Sequence, residues 1–437
     1  MTSAVRTRLA AGAATLASAL TLVTGTGSAV AAPPDRAFAT PVAPGSAEAH
    51  ASVSAAELQA GITRALRQSG GRGGAYVADP ETGAVLFSRG ATRARQIASN
   101  MKLFTTAAAL ARLGPDEQFE TALVAPGGIV AGVVQGDLIL VGGGDPSLGR
   151  AAISRLVAEA RANGLVGVTG KMLYDETIFD RRRSVPRKGI RGGPFEYLGR
   201  LSGLAFEGGR STDPARSAAL TAASALRKRG VDVSKKVAPG DAPAVPPTNV
   251  VAEIESAPLS DLARTTNTFS VNFYAETLLK SLGAEVAGRG TTAAGVAVAR
   301  AFAAESGAAL RGHNGSGLSR ADRASPRSIG ALLTAMLDRE LAVRDSFLRS
   351  LAVAGRTGTL ARRMRGTAAS GACIGKTGTL DGVSALSGYC LVAPERFIVF
   401  SVLLNKVAIS RAHRAQDRIA SLVAGYEAPP APPASAP

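Results

Sequence analysis

A serine three residues ahead of a lysine, Ser99-Asn100-Met101-Lys102, is the pattern in this chain best suited to covalent chemistry. Residues three apart share one face of a helix, so the Lys102 amine can reach the Ser99 hydroxyl and serve as its base. At the start of a helix the serine also gains from the positive end of the dipole. A free lysine titrates near 10.4, so it acts as a base at neutral pH only if burial or a second cation lowers it. Lys376, in Lys376-Thr377-Gly378-Thr379, can supply that second charge. Ser270-Val271-Asn272 adds another hydroxyl and an amide. Each short motif arises by chance in a chain this long, and Ser99 alone could be a helix N-cap. Their weight lies in order and context: a helix start, a polar segment before a helix, and a strand entering a hairpin.

Other chemistries find little support. His50, His313 and His413 are far apart and none pairs with cysteine or carboxylate at ligand spacing, so no metal site is expected. A Ser-His-Asp arrangement lacks a well-placed histidine. The glycines at 142–144 are too few for a phosphate loop. Arg356-Thr357-Gly358-Thr359-Leu360 nearly repeats Lys376-Thr377-Gly378-Thr379-Leu380. It runs into Ala361-Arg362-Arg363, which reads as a helix start, so only the second copy is taken as the site strand.

The elements that must hold these groups follow from periodicity. Ser54 and Glu57 form a capping box before Leu58, Ile62 and Leu66 at helical spacing. A hairpin over 75–87 comes next, then a helix from near Ser99 to Gly114-Pro115. From about 118 to 254 short β-like runs alternate with turns and with helical stretches near 149–163 and 213–228. This reads as an insertion of one or two small domains. Helical patterns resume from about 258, followed by a hairpin, an apolar strand over 397–404 and a final helix over 410–424. The first helix, first hairpin, last strands and last helix should share one sheet, giving an α/β domain split in sequence, 54–117 and 255–425. Residues 32–53 and 426–437, rich in Ala and Pro, read as a disordered linker and tail.

The chain has 437 residues, 46% of them hydrophobic, and a formal charge of +17. Such an excess calls for an anionic partner. Residues 1–31 carry Arg6 and Arg8, an apolar run over 9–23 and Ala29-Val30-Ala31, the pattern of a cleaved signal peptide, or of an uncleaved anchor. Export excludes nucleic acid and favours cell-wall polymer. Loss of Arg6 and Arg8 lowers the +17 to +15. The basic run Arg181, Arg182, Arg183, Arg187, Lys188 and Arg191 is the candidate contact, or else a solvated loop. Outside the cytoplasm Cys373 and Cys390 can pair. They lie eight residues either side of the hairpin signal Asp381-Gly382, which sets them directly opposite, at a non-hydrogen-bonded position within disulfide range. Two free thiols are the alternative.

The three motifs with their flanks resemble the penicillin-recognising serine enzymes, and one branch in particular, the class C low-molecular-mass penicillin-binding proteins (DD-carboxypeptidase/endopeptidase, peptidase family S13). The matching stretches are 98–103, 136–147, 267–276, 315–320 and 375–389. The 171 residues from Ser99 to Ser270 also fit this branch. The resemblance implies a β-lactamase/transpeptidase-like domain, an antiparallel sheet with helices on both faces, carrying an inserted region. It implies Ser99 as nucleophile, Lys102 as base and Ser270 as proton relay. Asn272, Lys376, Thr377, Gly378 and Thr379 would hold peptide, carboxylate and oxyanion, with Leu318 and Arg320 lining a side-chain pocket. The implied partners are peptidoglycan stem peptides and β-lactams as covalent inhibitors, with no cofactor. Val271 and Asn314 depart from the family pattern, where Asp or Asn and Asp are common. A β-lactamase and a lapsed wall-binding protein are the rival readings.

Overall fold

The structure, a computed structural model, describes residues 52–184 and 198–429. The expected signal segment, residues 32–51 of the linker, the tail from 430, and Arg187, Lys188 and Arg191 lie outside the described residues.

The chain opens with α1 (Ala55–Ser69), whose Ser54/Glu57 capping box forms with reciprocal side-chain and backbone bonds. Strands β1 (Arg72–Ala78) and β2 (Val85–Arg89) make the first hairpin, and the short β3 (Arg95–Gln96) leads to α2 (Met101–Leu113). The inserted region holds β4 (Glu120–Val124), β5 (Leu138–Gly142), α3 (Arg150–Ala162), β6 (Met172–Asp175), α4 (Pro214–Lys228), β7 (Val237–Pro239) and β8 (Val250–Glu255). Then come α5 (Leu259–Thr268), α6 (Asn272–Ala287), α7 (Thr292–Glu305), β9 (Arg323–Ala324), α8 (Pro326–Leu337), α9 (Leu341–Ser350) and β10 (Ala352–Val353). The chain returns through β11 (Cys373–Leu380), β12 (Val383–Ala393), β13 (Arg396–Asn405) and α10 (Ile409–Ala424).

The larger sheet has the order β10-β11-β12-β13-β1-β2, antiparallel throughout its pairings, so strands from both ends of the chain close it side by side. Both faces are apolar. One carries Tyr389, Val399 and Leu403 against α2, α6 and α8, and the other Leu386, Phe400 and Val402 against α1 and α10. A central strand buried on two faces reads as a near-continuous apolar run, as in β13, Arg396 to Asn405. This is the helix–sheet–helix sandwich that the resemblance implied.

The second sheet, β7-β6-β5-β4-β8, belongs to the insertion. Its first and last chain crossings, β4 and β8, are neighbours with Glu120 opposite Glu255, so the insertion leaves and returns at one place. Alanines 215, 218, 219, 222 and 223 let α4 pack closely over its face.

Three local expectations change. Val53 and Tyr426, expected in the linker and the tail, bridge each other, and Tyr426 is buried beside α10, because an apolar residue at each end completes the core there. Residues 361–372 form turns, not a helix: Met364 has φ +61° and Gly366 and Gly371 are also left-handed. Arg183 is no part of a solvated patch, since its guanidinium is held by Glu176 and lies 3.6 Å from Asp213.

Candidate active site

Ser99 sits on a tight turn rather than at a simple helix start. Residues Ala98–Asn100 make one turn of 3-10 helix before α2, and no side chain caps either segment. Ala98 takes φ +47°, a left-handed conformation costly for alanine. Such strain persists only where the surroundings enforce it. Here they do: a Cβ on Gly317 would fall 1.9 Å from the Ala98 carbonyl oxygen, and one on Gly378 would fall 2.7 Å from that of Ile97. The serine is thereby presented at the mouth of α2, whose body, from Met101 to Leu110, is buried.

Lys102 is 0% exposed. Its Nζ lies 3.1 Å from Ser99 Oγ, 2.7 Å from Asn272 Oδ1 and 2.7 Å from the Ser316 carbonyl oxygen. A neutral amine has two hydrogens and one lone pair. The two short contacts occupy the hydrogens and leave the lone pair facing the serine hydroxyl. Burial lowers the Lys102 pKa to about 7, against the opposing pull of the Glu276 and Asp322 carboxyls. Burial is the main cause, and the neighbouring Lys376 opposes the charged form of Lys102 just as Lys102 opposes that of Lys376. Lys376, also 0% exposed, is itself pushed well below the usual lysine range, by burial and then by Lys102.

Two buried carboxyls missed at the sequence level lie behind the lysine. Glu276, one turn along α6 from Asn272, accepts from the Gly315 and Ser316 amides at 2.9 and 2.8 Å. Asp322 accepts from the His313 amide at 2.7 Å, and burial pushes its carboxyl up to about 8. Between them they fix the 313–319 loop, whose Ser316 carbonyl holds Lys102. Asn314 accepts from the Gly317 amide at 2.9 Å, closing the same turn. The helical periodicity that puts Asn272 and Glu276 on one face was available in the sequence; the fold of the 313–322 loop was not.

Strand β11 forms the opposite wall. β10 covers its outer edge only at Ile374 and Gly375, so from Lys376 onward that edge has no strand partner among the described residues. Lys376 Nζ donates to the Thr377 carbonyl at 3.0 Å. Asn100, which is also new, ties the two walls: its amide donates to the Lys376 carbonyl at 2.8 Å and its Oδ1 accepts from Ser387. The Thr377 hydroxyl donates to Thr359 Oγ1 at 2.9 Å, so the copy rejected as the site strand reaches the site.

Ser270 precedes α6 with φ +60°, again strained for a non-glycine. Thr379 is exposed at the free edge, and Gly378 abuts the serine turn. Leu318, by contrast, is 4% exposed and packed with Leu198, Leu201, Ala205 and Phe273, so it supports the wall from beneath instead of lining an open pocket. Arg320 is half-buried, bonded to Gln96 Oε1 at 3.2 Å and the Asp381 carbonyl at 2.9 Å. Cys373 and Cys390 face each other in register and are disulfide-bonded, with Cα atoms 4.0 Å apart. No group of three or more metal-ligating side chains occurs among the described residues.

The family described as D-Ala-D-Ala carboxypeptidase 3 (S13) matches this chain over residues 55–189 and 204–426. The D-alanyl-D-alanine carboxypeptidase of an Actinomadura species is 33% identical over 82% of this chain and 82% of its own. Carboxypeptidase DacB of Mycolicibacterium smegmatis is 30% identical over 75% of each. Among solved structures, penicillin binding protein 4 (dacB) of Haemophilus influenzae superposes with a TM-score of 0.72 at 20% identity, covering 82% of this chain and 97% of that one. The same Haemophilus influenzae protein complexed with a novel β-lactam gives 0.67 at 21% identity, over 82% and 97%.

Proposed function

This chain belongs to the D-Ala-D-Ala carboxypeptidase (S13) family, and from that premise we propose a residue-level mechanism for it. It is a serine-type DD-peptidase acting on D-Ala-D-Ala peptides of peptidoglycan. The observation that carries the mechanism is the fully buried Lys102 amine, 3.1 Å from Ser99 Oγ with its two hydrogens engaged elsewhere.

Ser99 Oγ attacks the carbonyl carbon of the penultimate D-Ala as its proton passes to Lys102 Nζ. The amides of Ser99 and Thr379 receive the oxyanion, an effect of about 3–4 kcal/mol per donor in other enzymes. Ser270 relays the proton from Lys102 to the departing amine as its C–N bond breaks, and Asn272 holds the acyl-side peptide while fixing Lys102. Lys376 and the hydroxyls of Thr377 and Thr379 bind the terminal carboxylate, a charge-assisted contact. Water then attacks the ester carbon as one of its protons passes to Lys102 Nζ, Ser99 Oγ leaves and takes that proton back, and the shortened peptide is released. Attack on a terminal D-Ala gives carboxypeptidase action, and attack at a cross-link gives endopeptidase action. A β-lactam offers the same carbonyl and carboxylate and acylates Ser99.

The rest of the reading concerns place. Residues 1–31 direct export, and the mature chain works on the wall side of the membrane; no described helix is long and apolar enough to cross one. Its positive excess suits anionic wall polymer, with Arg181 and Arg182 the exposed part of the basic run within the described residues.

Incubation of the mature chain and of Ser99→Ala with a fluorescent penicillin, followed by peptide mapping, tests the reading. Stable label on the Ser99 peptide, absent from the variant, is expected. Rapid turnover without retained label would favour a β-lactamase, and no reaction at all a binding role. Acylation should also rise with pH through about 7, since the neutral Lys102 is the active form and protonation below that value removes the base. A rate flat from pH 5 to 9 would remove Lys102 from that role.

A further inference from the structure

Helices α1 and α10 cover the face of the larger sheet that points away from α2 and Ser99. They pack side by side in opposite directions. A Cβ on Gly61 would fall 2.6 Å from Leu422 Cδ1, and one on Gly70 would fall 3.5 Å from the Arg411 guanidinium. Interpolation between these two contacts puts Arg64 level with Arg418 and Arg67 level with Arg414. All five of these arginines are exposed. On α10 the steps 411, 414 and 418 follow helical spacing, so the three form one stripe. Axes of packed helices lie about 8–10 Å apart, so α1 adds a second row close by.

Little on these helices offsets the charge. From Leu58 to Ser69, α1 has no carboxylate, and Glu57 before them is held in the Ser54 capping box. The one acid of α10, Asp417, faces the other flank, where Arg363 holds it at 2.6 and 2.9 Å. Among the described residues, Arg64, Arg67, Arg411, Arg414 and Arg418 are in no ion pair. They come from opposite ends of the described chain, so the fold and not a basic run assembles the patch.

Two features narrow the partner. Every cation is an arginine, whose planar fork pairs with two oxygens of one phosphate. None of the exposed large apolar side chains among the described residues lies on α1 or α10. A helix that settles on a lipid surface buries an apolar face there, and this pair presents none. Charge laid out in two rows suits a chain that carries an anion on each unit. We propose that the outer face of α1 and α10 docks a phosphate-bearing wall polymer through these five arginines. The proposal rests on the export reading, which sets wall polymer in place of nucleic acid, and it puts the contact behind the sheet and not at Arg181 and Arg182. A polymer docked there leaves the mouth of α2 and the free edge of β11 uncovered, so the enzyme stays on the wall while it works.

The test titrates the full mature chain with poly(glycerol phosphate) and, separately, with vesicles of phosphatidylglycerol and phosphatidylcholine. Polymer affinity should fall linearly with salt on logarithmic axes, because docking releases counterions. Arg411→Gln with Arg414→Gln and Arg418→Gln should weaken it about ten- to hundredfold at low salt. The salt slope should flatten by about two to three. Penicillin labelling of Ser99 should match the parent chain, which also shows that the variant is folded. Arg181→Gln with Arg182→Gln and Lys235→Gln removes the same charge from the inserted region and should weaken binding less than about threefold. No polymer binding at low salt overturns the proposal, as does no loss in the first variant or an equal loss in the second. Vesicles bound more tightly than polymer, through the same α10 arginines, would overturn it in favour of a membrane-facing surface. Retention of the chain in the cytosol of cells that make it would instead overturn the export reading, whatever the titration gives.

Discussion

Residues 356–360 and 376–380 read Arg-Thr-Gly-Thr-Leu and Lys-Thr-Gly-Thr-Leu, yet one is a 3-10 turn and the other an extended strand. Their glycines mark the divergence. Gly358 is left-handed at φ +52°, and a Cβ there would fall 2.1 Å from the Thr268 carbonyl oxygen. Gly378 is extended and abuts the serine turn. Partners decide the outcome. The second copy lies within eight consecutive pairings to β12 and a disulfide, while the first has only the two-residue β10 beside it. A five-residue motif thus has no conformation of its own, and the chemistry follows the ladder.

The largest expected effect comes from removing what holds the second copy in its ladder. Cys373→Ser with Cys390→Ser opens a crosslink spanning 17 residues, and a loop of that size contributes about 3 kcal/mol. Denaturant unfolding of the double variant should show a loss of that order, with penicillin labelling of the folded fraction kept, because the eight pairings remain. If labelling vanished while the fold persisted, the crosslink and not the ladder would be what shapes the strand.

Next in size is the charge. Lys376→Ala should lower kcat/KM for carboxylate-ended substrates about 10- to 100-fold, the range of a charge-assisted bond, and Arg356→Ala less than threefold. Arg356→Lys makes the two copies identical in sequence. Combined with Lys376→Ala it should restore nothing, and recovery of activity would break the claim that context selects the strand. The glycines sharpen the same point. Gly358→Ala should cost about 1–3 kcal/mol of stability, being strained and obstructed. Gly378→Ala should cut acylation about tenfold, since its methyl group presses on Ile97 and Ser99, with the melting temperature changed less.

Much of this site was legible because its signals are local. Ser99 and Lys102 share a helical face, and the Asp381-Gly382 turn set the pairing of Cys373 with Cys390. The hairpin and the strand over 397–404 carry their own periodicity, so the split sheet could be anticipated. What escaped depends on long-range packing. Nothing near Glu276 announces that it will receive the Gly315 and Ser316 amides, nor near Asn100 that it will bond Lys376. The low pKa of Lys102 was anticipated from burial or a second cation, but not that burial leads, since a neighbouring cation can be read from a motif and the depth of a pocket cannot. The helix start read at Ala361 failed for the opposite reason. Local polarity suggested it, while left-handed Met364 and Gly366 and the bond of Arg363 to Asp417 fold the segment into turns against α10.

The smallest effect concerns the bond joining the two copies, Thr377 Oγ1 to Thr359 Oγ1 at 2.9 Å. Thr377 is read as a ligand of the terminal carboxylate, and a hydroxyl that rotates freely is a poorer ligand than one already oriented. With its hydrogen on Thr359, Thr377 offers the carboxylate nothing until the pair reorients, so Thr359 can either aim the hydroxyl or compete for it. Thr359→Val separates the two cases. If Thr359 aims the hydroxyl, KM for a carboxylate-ended peptide should rise about three- to tenfold, near 1 kcal/mol, and Thr359→Ser should restore it. A substrate whose terminal carboxylate is amidated should not respond. If Thr359 competes, KM should fall by a similar factor. An equal change for both substrates would mean that the first copy touches the second without serving it, and the likeness of the two sequences would then carry no function.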